Sequence, residues 1–90
     1  MGKYRIVVGE QAAKDILKIK KSGDLASIKK VEIIISELQV HPEIGTGKPE
    51  KLKFDLTGYW SRRINKKERL IYRIEDSIIT VTIVSALGHY

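Results

Sequence analysis

Ninety residues with 42% hydrophobic and 31% charged side chains suit one domain with a small core, because chains of this size bury somewhat over ~60% of their unfolded surface. That balance argues against disorder, and no apolar run approaches the ~20 residues that span a bilayer. The chain has no cysteine, which removes disulfides and thiolate metal sites from consideration. Residues 1–9 turn polar too soon for a secretory leader, so a cytoplasmic location is expected.

Tyr4 to Val8 reads as a short strand, β-branched at its end. From Glu10 the pattern becomes helical, with Ala12, Ala13, Ile16, Leu17 and Ile19 on one face and Lys14, Asp15, Lys18 and Lys21 opposite. Ser22-Gly23-Asp24 interrupts it, with glycine as the stop and Asp24 as the next N-cap. A second helix sets Leu25, Ile28, Val31, Ile35 and Leu38 at steps of three or four. It stops near His41, because Pro42 disfavours helical geometry in the residue before it. The pair forms an αα-hairpin.

Glu43 to Pro49 is a loop. Leu52, Phe54 and Leu56 then alternate before a turn at Thr57-Gly58. Tyr59–Ile64, Arg69–Glu75 and Ile78–Leu87 follow as three closely spaced strands, a meander. The order β-α-α-β-β-β predicts an α+β fold, one domain over residues 1–90, with the two helices on one face of a mainly antiparallel sheet.

Register sharpens the picture. An odd loop between Ile64 and Arg69 puts Trp60 and Ile64 on the face that carries Leu70, Tyr72 and Ile74 and so unites the core, whereas an even loop splits it. The odd loop sets Arg63 beside Arg69 on the other face, near Ser61 and Arg73, and leaves Arg62 at the margin of the core face with its head group reaching outward. Two guanidinium groups on neighbouring strands repel by roughly a few tenths to one kcal/mol. An anion between them relieves that repulsion.

The charge is uneven as well. Between Gly47 and Arg73 nine basic residues face three acidic ones, which accounts for the whole net charge of +6. Such a stretch fits a phosphate-binding surface, although a charge run alone reads equally well as a solvated face. Several other signals carry little. Gly45-Thr46-Gly47-Lys48 echoes a phosphate loop, but Pro49 stands where Ser or Thr is required. His41 and His89 have no carboxylate at ligand spacing, so no metal or other cofactor is expected. His41 reads as a residue at the helix C-terminus interacting with its dipole. The candidates for chemistry are Glu50, Arg63, Arg69, His89 and Tyr90, and each taken singly has an ordinary surface or core explanation.

Taken together they form a pattern. Gly47-Lys48-Pro49-Glu50-x-Leu52-Lys53, Leu56-x-Gly58-Tyr59-Trp60-Ser61-Arg62-Arg63-Ile64, Glu68-Arg69-Leu70-Ile71-Tyr72 and His89-Tyr90 resemble the YoeB (Txe) family of bacterial toxins. That family lies within the RelE-like superfamily of ribosome-dependent messenger-RNA endonucleases. The resemblance is dense over the second half of the chain, and the helical hairpin matches only in pattern. It implies a toxin of a type II toxin–antitoxin system that cleaves message in the ribosomal A site and halts translation.

In that scheme Glu50 is the general base toward the ribose 2′-hydroxyl, Arg69 stabilises charge on the scissile phosphate, and His89 is the general acid. Arg63 and Tyr90 hold and orient the phosphate, with Lys53 beside them. Leu87-Gly88 departs from relatives that often carry arginine or tyrosine before His-Tyr. The implied partners are mRNA on the ribosome with its 16S/23S rRNA surface and an acidic antitoxin of the YefM/Phd-like kind. The resemblance also implies a homodimer, operator DNA reached only through the antitoxin complex, and no membrane.

The chemistry is self-consistent. Cleavage by the 2′-hydroxyl needs a base and an acid on opposite sides of phosphorus and cations at its equatorial oxygens. A Glu of pKa ~4.3 and a His of pKa ~6.5 supply the first two near neutral pH without a metal. The competing expectation is a non-catalytic basic module that grips rRNA or DNA through Lys53, Arg62, Lys66 and Lys67, with Glu50 and His89 dispensable.

Overall fold

Two caps and a glycine define the helical hairpin. In the computed structural model, which describes residues 3–88, Gly9 precedes helix α1 (Glu10–Ser22) and Gly23, at φ 80°, ends it. Few residues other than glycine adopt that backbone conformation without strain. Asp24 then caps α2 (Leu25–Leu38): its carboxylate accepts the Ser27 N–H at 3.2 Å and the Ser27 hydroxyl at 2.7 Å. The hydrogen bond from that hydroxyl is the main reason the Asp24 carboxyl is held below its ordinary pKa. α2 ends three residues short of His41, whose N–H closes the last turn onto the Glu37 carbonyl at 2.6 Å. The His41 side chain is exposed.

The strands are β1 (Arg5–Val8), β2 (Glu50–Lys51), β3 (Tyr59–Arg63), β4 (Arg69–Glu75) and β5 (Thr80–Gly88). They form one sheet in the order β1-β5-β4-β3-β2. β1 runs parallel to β5, and every other pair is antiparallel. The expected α+β layout is present, with one strand more than the sequence pattern gives. β2 is too short to show a periodicity. The last strand starts later than expected, at Thr80, because residues Asp76–Ile78 form a 3₁₀ turn and Ile79 takes a left-handed conformation at φ 46°.

The hairpin between β3 and β4 has the odd loop. Ile64 and Glu68 close it by backbone bonding, and the pairs Trp60↔Tyr72, Arg62↔Leu70 and Arg63↔Arg69 follow. The core therefore lies on the helix side, where Ile64, Leu70, Tyr72, Val81, Ile83 and Ala86 meet Ala12, Ile19, Val31, Ile34 and Leu38. Leu17 and Leu25 do not belong to it, being 51% and 77% exposed. The inward stripe of α1 runs Ala12, Asp15, Ile16, Ile19, so Asp15 is buried rather than on the polar face. On α2 the inward stripe takes in Ile34, which a reading through Ile35 passes over. Among the described residues no helix is long and apolar enough to cross a membrane.

Candidate active site on the face opposite the helices

Side chains alternate across a strand, so the register that sends Trp60, Arg62 and Ile64 toward the helices sends Ser61 and Arg63 to the other face. β2 adds Glu50 opposite Ser61. Arg63 faces Arg69, and Arg69 in turn faces Gly88 of β5. The exposed face thus assembles a carboxylate and two guanidinium groups drawn from three strands. Arg69 Nη1 lies 3.9 Å from Glu50 Oε1, with the Arg69 side chain 26% exposed and that of Glu50 61% exposed. Lys53 follows on the rim, exposed. His89 and Tyr90 lie outside the described residues. Leu87 is half-buried and packs against the core, turned away from this face.

On the helix side of β3 lies a clamp that the sequence disguises. Arg62 is fully buried, not at a margin. Its five N–H donors all find acceptors: Nε donates to Tyr72 Oη, Nη1 to Glu37 Oε1 at 2.7 Å and to the Thr46 carbonyl, and Nη2 to the carbonyls of His41 and Ile44. The Tyr72 hydroxyl donates onward to the Pro42 carbonyl at 2.7 Å. One side chain thereby ties α2, the 41–46 loop and β4 together.

The Glu37 carboxyl loses solvation in this cluster, which pushes its pKa up. Bonds from the Thr46 hydroxyl and N–H and from Arg62 outweigh that effect and leave it lowered. Burial pushes the Tyr72 hydroxyl up, against the lowering influence of Arg62. With its guanidinium consumed, Arg62 is not available to a phosphate, and the binding-module expectation loses one of its four cations.

The loop continues into β2 at close range. Gly47, at φ 86°, brings its carbonyl to the Arg63 N–H at 2.7 Å, and a Cβ at this position would sit 2.8 Å from the Arg63 carbonyl oxygen. The Leu52 N–H then bonds the Tyr59 carbonyl at 2.9 Å. Glu50 is pinned from both sides by backbone pairing with β3.

At the other edge of the site, β5 departs from regular pairing. Between the pairs Arg69↔Gly88, Ile71↔Ser85 and Tyr72↔Ile83, β5 carries extra residues relative to β4. Within that irregular stretch the Ala86 N–H donates to the buried Asp15 carboxylate at 3.1 Å, which also receives Gln11 Nε2 at 2.8 Å. Bulges re-aim a strand and leave backbone groups to be met elsewhere. Asp15 meets one of them, two residues before Gly88 pairs with Arg69. Sequence reasoning missed both Arg62 and Asp15 as positioning residues. The available signal for Asp15 was its i+3 spacing from Ala12 and i−4 spacing from Ile19.

A five-stranded sheet with two helices on one face and a carboxylate and arginines on the other is the RelE-like α+β fold. Residues 9–90 match the family model described as the YoeB-like toxin of bacterial type II toxin-antitoxin system, and the chain belongs to that family. It is 41% identical over 70 residues to a Synechocystis protein named Toxin YoeB, covering 78% of this chain and 79% of that one. A solved YoeB dimer from Staphylococcus aureus superposes with a TM-score of 0.80 at 37% identity, covering 98% of this chain and 99% of the other. The heterotetrameric YoeB-YefM toxin-antitoxin complex from the same organism gives 0.77 at 38% identity, covering 97% and 98%.

Proposed function

We propose that this chain, as one toxin domain over residues 1–90, is a ribosome-dependent endoribonuclease that cleaves messenger RNA in the A site without a metal. The observation that carries the reading is the Glu50 carboxylate set beside Arg69, with Arg63 in register across from Arg69, on an exposed sheet face. Two guanidinium groups side by side repel, and a phosphodiester between them removes the repulsion. A carboxylate at the edge of that anion site can take a proton from a neighbouring hydroxyl.

In this scheme Glu50 accepts the proton of the 2′-hydroxyl as its oxygen attacks phosphorus. Arg69 and Arg63 stabilise the charge on the non-bridging oxygens, and Lys53 adds to the field. As the bond from phosphorus to the 5′-oxygen breaks, His89 donates a proton to the leaving oxygen while Tyr90 orients the substrate. The products are a 2′,3′-cyclic phosphate and a 5′-hydroxyl. Fixed cations aimed at developing charge are commonly the largest catalytic contribution.

The family places the chain with proteins that dimerise and that bind a YefM antitoxin. We extend both properties to it, with an acidic antitoxin of the YefM/Phd-like kind covering the cationic face, operator DNA contacted through that complex, and action in the cytoplasm. The test is to compare wild type with Glu50→Gln, Arg69→Ala and His89→Gln on translating ribosomes while mapping message ends. New ends in the wild type that all three variants lose support the reading. Undiminished cleavage by all three would refute it.

A further inference from the structure

Leu52, Phe54 and Leu56 alternate along the sequence, and two of the three turn inward. Leu52 is buried and Leu56 half-buried. Phe54 does the opposite, at 90% exposure, the highest of the large hydrophobic residues among those described. Its backbone is also in the left-handed region, at φ 59°. A single exposed aromatic is ordinary, and a bulky residue at positive φ is not. Strain of this kind persists only where surrounding structure imposes it, and it gathers at functional positions. Here a 3₁₀ turn imposes it: the Lys53 carbonyl accepts the Leu56 N–H, and the Phe54 carbonyl accepts both the N–H and the hydroxyl of Thr57. The turn holds the backbone while the ring projects into solvent.

The ring's surroundings identify what it serves. Phe54 lines an open concavity of about 320 Å³ together with Glu50, Lys51, Leu52, Lys53 and Leu56. Whatever covers the ring is therefore a neighbour of the proposed general base. We propose that Phe54 is a stacking platform for an unpaired nucleobase adjoining the scissile phosphate. The inference rests on the endoribonuclease reading and adds a substrate contact to it. A base offers a flat π face linked on both sides to phosphates. The concavity offers a flat ring with Lys53 in its lining and Arg69 beside Glu50, while the Lys51 ammonium lies over the Trp60 ring. Single-stranded RNA is gripped in this way, by aromatic faces interleaved with cations.

The test uses Phe54→Ala, Phe54→Leu and Phe54→Trp on translating ribosomes, read as kcat/KM and as the distribution of message ends. A second arm places the same changes in a Glu50→Gln background. It measures affinity for ribosomes programmed with a message 2′-O-methylated across the A-site codon. Losing one stacked base corresponds to about 5- to 150-fold. Phe54→Ala and Phe54→Leu should lose that factor in both arms with unchanged melting temperature, and Phe54→Trp should keep wild-type values. Equal performance of Leu and Trp, or wild-type values for Ala, overturns the platform while leaving the nuclease reading intact. Wild-type cleavage with failed neutralisation by the antitoxin assigns the ring to a protein partner and also overturns it. Absence of cleavage by the wild type removes the endoribonuclease reading, and the platform with it.

Discussion

Arg62 and Arg63 are adjacent in the chain and meet opposite environments. The Arg62 side chain has no solvent exposure and every donor is bonded. Arg63 is exposed and stands opposite a second arginine. Strand geometry makes this split, since one residue of rotation exchanges the helix face for the open face. The first guanidinium is surrounded by acceptors that the protein supplies. The second faces a like charge, an arrangement that favours an incoming anion. Identical chemistry thus serves architecture on one side of the sheet and, on the proposed reading, anion binding on the other, so a basic residue count overstates the cationic surface.

Substitutions can break this contrast in a graded way. Arg62→Met should have the largest effect, because it strands Glu37 and several carbonyls inside the protein. Removing one partner of a buried ion pair costs about 3–5 kcal/mol, so the midpoint of urea unfolding should fall sharply. Arg62→Lys should recover little of it, since an ammonium cannot reproduce a five-donor planar fork. A wild-type midpoint for either variant would remove the architectural role. Arg63→Ala should do the reverse. Melting should be unchanged or slightly raised by relief of repulsion, whereas cleavage on ribosomes should fall by about 10- to 100-fold, within the range of a lost charge-stabilising donor. Comparable losses of stability in Arg62→Met and Arg63→Ala would show that the two faces are not separate in function.

A subtler effect concerns pH. The Glu37 carboxyl is lowered in the folded state, so its ionisation stabilises the fold above the ordinary carboxylate range. That contribution is lost as pH falls through the depressed folded value. Glu37→Gln should therefore flatten the acid limb of a stability-versus-pH curve, and the wild type should lose more than the variant on acidification. Parallel acid limbs would place the sensitivity elsewhere. The smallest expected change is in salt dependence. Lys53→Ala should lower the slope of log affinity against log salt by about one phosphate contact, measured on programmed ribosomes in the Glu50→Gln background. Lys14→Ala, on the helix side and exposed, should leave that slope alone.

The legible parts of the fold were those where a period of two or of 3.6 had several residues to declare itself. The β3–β4 register could be read because Trp60, Ile64, Leu70, Tyr72 and Ile74 agree on one face only with an odd loop. Where a polar residue serves the interior, the same logic misleads. By residue type Asp15 falls to solvent, and by register Arg62 falls at the margin of the core face with its head group reaching outward, whereas both are buried. The parallel pairing of β1 with β5 and the two-residue β2 leave no local pattern at all. The nearness of Glu50 and Arg69 was accessible only through the family resemblance. A separation of 19 positions along the chain gives no hint of a 3.9 Å approach.

The strand order has a consequence for synthesis. β5 comes last among the strands in the chain yet lies between β1 and β4, and it carries the α1 contact through Asp15 and Ala86. While a nascent chain lacks that strand, β1 has no ladder partner and the helices have no complete sheet to cover. Contacts spanning most of the chain must wait for both ends to be present. Folding and completion of the arginine-bearing face therefore depend on the same late-emerging segment, and an unfinished chain is withheld from both.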